Sequence, residues 1–160
     1  MEARRVLADC RVALQHADVA IDPVDFRVSW AALVALLRAV GHVLKKVDAE
    51  RGAILKRAIE RRWQLWQDER SANEIFWEFI EAERNSVLKA YEFGYREDDV
   101  EIETVASDGT RIVHSNVPFL SALRAGPFAG QPGLDIARNA LVWWERQLDA
   151  IEEDALVHGA

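Results

Sequence analysis

Cysteine is almost absent: Cys10 stands alone in 160 residues. No intramolecular disulfide can form, and no cysteine-rich zinc cluster is available. A reducing, cytoplasmic setting is therefore expected. Histidine is scarce too, with four in the chain. None follows a glutamate at Glu-x-x-His spacing, so the carboxylate–histidine set of a di-metal helical bundle is missing. The sequence has no phosphate-cradling glycine loop and no Gly-x-Ser-x-Gly elbow. No metal and no cofactor is expected. Positive charge is in deficit, with 20 Lys and Arg against 27 Asp and Glu, a net charge of −7 and a pI near 5.1. That argues against tight nucleic-acid binding by bulk charge and leaves room only for a local basic patch. Long apolar runs are also lacking. Ala31 to Val40 is short and interrupted by Arg38, so no membrane span is expected. Leu7-Ala8-Asp9-Cys10 has the outline of a lipoprotein cleavage box. Asp9 sits where a small residue is needed and no apolar stretch precedes it, so that reading is rejected.

What is present suits a globular protein. Half the residues are hydrophobic, 29% are charged, and six are Trp. The length supports one domain, residues 1–160, with a real core. The tryptophans imply heavy aromatic burial or an adhesive interface. The fold class expected is mainly α: a helical bundle of four to five helices with a β-hairpin inserted before the last.

Residues 2–19 carry Ala3, Val6, Leu7, Cys10, Leu14 and Ala17 at helical spacing. Cys10 is read as a buried small apolar residue and His16 as a boundary histidine. Asp22 and Pro23 form a helix entry, cap and first turn. The helix that follows, to about Val47, has its stripe at Trp30, Leu33, Val34, Leu37, Val40, Leu44 and Val47. Gly41 lies inside it, costs about 1 kcal/mol relative to Ala, and hints at a close helix crossing. His42 lies beside the stripe with no second ligand. Residues 51–68 make a third helix or a continuation of the second. From Lys45 to Arg62, seven basic residues (Lys45, Lys46, Arg51, Lys56, Arg57, Arg61, Arg62) face Asp48, Glu50 and Glu60, a local net of +4. The simpler reading is a solvated face with local ion pairs. The functional one is a patch that guides a phosphate backbone.

Val100 to Val105 alternates at period two, Ser107-Asp108-Gly109-Thr110 is a tight turn, and Arg111 to His114 returns. A two-stranded ribbon is marginal alone, so it should pack on the bundle or on a partner. His114 ends the second strand. Residues 117–133 hold Pro118, Pro127 and Pro132 with Gly126, Gly130 and Gly133. They read as a loop with one helical turn at Phe119–Arg124. The last helix runs from about Leu134 to Leu156, and its acidic far end is placed to complement the basic segment, within the fold or across a dimer.

The chain is organised around a helix from near Ser71, with Gly94 as its stop. On a wheel of about 100° per residue, Trp77, Ile80, Leu88 and Tyr91 all fall within roughly 40° of Arg84. An arginine thus occupies the middle of an apolar stripe. An unpaired buried guanidinium is costly, so Arg84 needs a partner, a cleft or an interface. A carboxylate such as Glu81, or one from the last helix, is the structural answer.

Arg84-Asn85-x-x-x-Lys89-x-Tyr91 resembles the helical signature of HEPN domains, which in their paired-toxin members reads Arg-x4-His-x-Tyr. Arg84, Asn85 and Tyr91 match, and Lys89 stands where that family has His. The resemblance covers about eight residues, together with a compatible helical order. It implies a helical dimer with a metal-independent ribonuclease site assembled between subunits, in which Arg steadies the scissile phosphate and His handles a proton. It implies a catalytic set of Arg84, Asn85, Lys89 and Tyr91, an RNA target, and a cognate antitoxin or nucleotidyltransferase partner that modifies the motif Tyr, here Tyr91. Lys89 with an ordinary pKa of about 10.4 is a poor proton acceptor at neutral pH. The expected function is accordingly an RNA-associated protein of toxin–antitoxin or defence type with an impaired ribonuclease site. The alternative is a catalytically inert helical dimer acting as a protein-interaction module.

Overall fold

The computed structural model describes residues 1–96, 102–114 and 122–158. Its helices are α1 (Glu2–Val19), α2 (Pro23–Lys46), α3 (Ala53–Asp68), α4 (Ala82–Ala90) and α5 (Gly133–Val157). A π-helix, Ile75–Glu81, leads into α4, and a 3-10 turn, Asp48–Arg51, separates α2 from α3. Strands β1 (Ile102–Val105) and β2 (Arg111–His114) pair antiparallel, Glu103 opposite Val113 and Thr104 opposite Ile112. This is the expected helical bundle with a hairpin before the last helix.

α2 is the central element. It packs along α1, meets α4 and the π-helix on another side, and touches α3 and α5. Asp22 caps it through hydrogen bonds from Val24 N (2.7 Å) and Asp25 N (3.2 Å). Phe26, Trp30, Leu33, Val34, Leu37, Val40 and Leu44 are buried along its length. By length and apolarity the stretch Pro23–Arg51 meets the criteria for a membrane-crossing helix, which the short run Ala31–Val40 did not suggest. In this fold its apolar stripe is packed against the other helices. A Cβ on Gly41 would lie 3.1 Å from the Trp144 ring, so this glycine does mark the close crossing of α2 and α5.

The break between α2 and α3 has a specific cause. Asp48 is fully buried, and its two carboxylate oxygens accept from Glu2 N and Ala3 N, each at 2.8 Å. It serves as the N-terminal cap of α1, which has no capping side chain of its own. Arg51 flanks it, 3.3 Å away, and also reaches Glu2. Helices two and three are therefore separate rods.

Trp30, Trp66 and Trp144 are buried in the core. Their indole N–H groups donate to Glu83 Oε1, Gln147 Oε1 and the Leu37 carbonyl. Cys10 is buried on α1, and that burial pushes its thiol up to about 12. The acidic end of α5 is used within the fold: Glu145 pairs with Arg11, Asp149 and Glu152 with Arg4, and Asp154 with Arg61.

Two expectations for the loops change. Ala122 and Leu123 are not helical; they bridge to Pro132 and Tyr95 in extended pairs, while 119–121 lie outside the described residues. The hairpin turns at Gly109 (φ 83°), and Val105, Ile112 and Val113 are exposed, so of the two packings expected for the ribbon, bundle or partner, these side chains do not take the first. Val100, Glu101 and the His114 side chain lie outside the described residues.

Candidate phosphate-contact site on the α2–α4 face

The π-helix decides which side chains face the core. Its i→i+5 turns hold more residues than the 3.6 of an α-helix, so the seven residues Ile75–Glu81 shift the phase of everything after them. The buried face is Phe76, Phe79, Ile80, Glu83 and Val87. Trp77 and Arg84 lie at its border, and Leu88 and Tyr91 are exposed. The wheel had placed Arg84 at the centre of the stripe; Glu83 holds that position.

Glu83 is satisfied there. Its Oε1 accepts from Trp30 Nε1 at 2.8 Å and from Gly94 N at 2.9 Å. Burial raises its carboxyl above the usual range, and the two hydrogen bonds partly offset this. Gly94 does not end the helix, which stops at Ala90 with Tyr91 in the left-handed region (φ 56°). Its lack of a side chain is needed for another reason: a Cβ would lie 2.2 Å from Glu83 Oε2.

Arg84, one residue on, points to the border between α4 and α2. Its Nη1 donates to Asn85 Oδ1 at 2.9 Å. Among the described residues no carboxylate lies within 4 Å of it. The expected partner, Glu81, instead faces Arg38 of α2, at 3.7 Å. The Arg38 guanidinium also sits over the Phe76 ring, 5.5 Å from its centroid. Burial lowers the pKa of Arg38, Glu81 opposes that, and Arg84 is close enough to reinforce it. His42, one turn further along α2, is exposed at the same border. Its pKa is lowered by partial burial, then by Arg38 and Arg84, with Glu81 opposing and Lys46 adding a little. The ring is thus largely neutral at pH 7.

The structure brings Arg84 and Asn85 into contact and places Lys89 and Tyr91 elsewhere. Lys89 is exposed, five residues and roughly 140° round α4 from Arg84. Tyr91 is exposed beyond the helix end, its ring edge-on to Phe93 at 5.1 Å. Arg38 and His42 are the residues that sequence reasoning left out. The signal was Arg38, the one charge inside the apolar run of α2, with His42 four residues on.

These groups can do one thing well. Two guanidiniums near each other, with one carboxylate at ion-pair distance from Arg38 and none from Arg84 among the described residues, favour an incoming anion, and a guanidinium forks onto phosphate oxygens. Among the described residues no group of three or more His, Cys, Asp and Glu is placed to hold a metal ion. Comparison with protein-family models, curated proteins and solved structures returns no match for this chain.

Proposed function

We propose that the border of α2 and α4 contacts RNA phosphate in a HEPN-like protein of toxin–antitoxin or defence type, and that its ribonuclease chemistry is impaired. The observation that carries this reading is the Arg38–Arg84 juxtaposition, with only Glu81 opposing it at ion-pair distance among the described residues. The motif resemblance supplies the ligand class. Lys89, exposed and turned away from Arg84, does not replace the proton-accepting ring that the family motif has at that place. Tyr91, 65% exposed, is open to modification by a partner enzyme.

The test is binding of labelled single-stranded RNA in EDTA, followed by anisotropy over a salt series. Wild type should bind, and Arg84→Ala and Arg38→Ala should each weaken binding and lower the salt slope by about 1, with unchanged circular dichroism. Absence of RNA binding by the wild type refutes the reading.

A second reading is a helical dimer acting as a protein-interaction module. It is favoured by the exposed apolar side chains of Leu88, Tyr91, Val105, Ile112 and Val113. Sedimentation equilibrium of the wild type and a Leu88→Glu variant tests the dimer, which the added charge should disrupt, and the RNA titration separates the two readings, since only the first requires RNA binding.

A further inference from the structure

A cavity of about 450 Å³ opens between the C-terminal half of α2, the 3-10 turn and α3. Its size falls in the range of small-molecule sites. Leu44, Ala49, Ile59 and the rings of Trp63 and Trp66 provide its apolar surface. Trp63 is held rigidly: Trp66, Phe76 and Trp77 lie 5.7 to 5.8 Å from its centroid. Lys45, Lys46 and Lys56 line the same space. All three are exposed, and among the described residues none has its ammonium within 4 Å of a carboxylate. Glu50 and Glu60 also line the cavity, leaving a net lining charge of +1 from three lysines and two glutamates.

Trp63 differs from the other tryptophans in a further way. The indole N–H groups of Trp30, Trp66, Trp77, Trp143 and Trp144 all have acceptors. Among the described residues that of Trp63 has none. The face of its ring is covered by the Lys45 ammonium, 5.2 Å from the centroid. This is a weak, solvent-accessible contact, easily exchanged for another.

We propose that this cavity is a nucleotide site, in which a base stacks on Trp63 and the phosphate is held by Lys45, Lys46 and Lys56. A planar base takes the place of the Lys45 ammonium on the ring, and the released ammonium turns to the phosphate. Base–aromatic stacking and lysine–phosphate attraction are each sequence-tolerant, so the site selects nucleotides as a class. Glu50 and Glu60 are positioned as acceptors for ribose hydroxyls or base N–H groups. The proposal stands on the cavity alone and does not need the α2–α4 border to contact RNA.

Calorimetric titration of the full chain with adenosine 5′-monophosphate, adenosine and inorganic phosphate tests it. The monophosphate should bind saturably, adenosine more weakly, and phosphate weakest. Trp63→Leu should weaken monophosphate binding about tenfold or more. Lys56→Glu should weaken the monophosphate and leave adenosine nearly unchanged, while Arg111→Ala, on the exposed hairpin, should change neither. Lack of saturable monophosphate binding overturns the proposal. So does phosphate binding as tightly as the nucleotide, which would mean a bare anion patch, or loss of binding in Arg111→Ala, which would move the site elsewhere. If circular dichroism shows Trp63→Leu unfolded, Lys56→Glu decides: unchanged monophosphate affinity in that exposed variant is equally fatal.

Discussion

Two acids and two arginines divide the polar interior of this bundle into unlike halves. Asp48 and Glu83 are buried, and each is met by two N–H groups that the backbone or a packed indole holds in place. Arg38 and Arg84 are only partly buried, and one carboxylate, Glu81 at 3.7 Å from Arg38, opposes the pair at ion-pair distance. The acids are completed by the chain itself and serve the fold. The arginines are left with capacity that an added anion can use. Substitutions at the acids should therefore cost stability, and substitutions at the arginines should cost binding.

The sharpest break is at Asp48. Asp48→Ala removes the cap of α1 and leaves the buried Ala3 N–H and the part-buried Glu2 N–H without their acceptor. A loss of about 3 kcal/mol is expected, read as a lower urea midpoint at unchanged slope. Asp48→Asn, which keeps one oxygen, should lose less. Equal stability of Asp48→Ala and wild type would show that the carboxylate is not the cap.

Glu83 comes next. Glu83→Ala orphans the Trp30 and Gly94 N–H groups at a cost of about 2 kcal/mol, and Gly94→Ala should be comparable, because its new methyl displaces the Glu83 carboxylate. Glu83 also carries a pH signature. Its native pKa is raised above the ordinary 4.5. The folded form then holds the proton more tightly than the unfolded chain does. Its favourable contribution is complete below the ordinary value and fades as pH climbs through the raised one. Wild type should therefore lose stability relative to Glu83→Gln as pH rises through that window. A difference that stays flat with pH would mean the carboxyl is not perturbed.

How far the sequence revealed this contrast depends on the range of each contact. Straight α-helices announce themselves: α1, α2 and α5 follow the 3.6 period, Asp22 caps three residues away at most, and Asp108-Gly109 closes a turn in which Ala106 N meets the Thr110 carbonyl. Gly41 was legible because a glycine inside a helix needs a close neighbour. The π-helix was not legible, since nothing in Ile75–Glu81 departs from an ordinary amphipathic pattern, and a fixed 100° wheel then misplaces every residue after it. It exchanged the roles of Glu83 and Arg84. Asp48 was counted among the surface charges of the basic segment because its partners lie 45 and 46 residues away. Arg38 and Arg84 stand 46 positions apart in the chain, and only the packing of α2 on α4 brings them together.

The arginines should show the opposite profile. Arg84→Ala should change stability by less than about 1 kcal/mol, since it gives up a contact to Asn85 at a half-exposed site. It should also relieve repulsion at Arg38 and His42. The His42 pKa, followed by NMR, should accordingly move up towards its ordinary 6.5 in Arg84→Ala and further in the double variant with Arg38→Ala. No movement would mean that the three groups do not share a border.

The smallest effect is expected where the motif resemblance would place the largest. Lys89→His restores the family pattern in sequence, yet residue 89 is exposed and lies far round α4 from Arg84. An imidazole there cannot reach a phosphate held by Arg84 within the same subunit. Stability, RNA affinity and RNA integrity in EDTA should all stay near wild type. A gain of cleavage in that variant would have a definite meaning. The two residues would then have to meet across a subunit interface, and the unpaired capacity of Arg84 would be reserved for a second copy of the chain as well as for RNA.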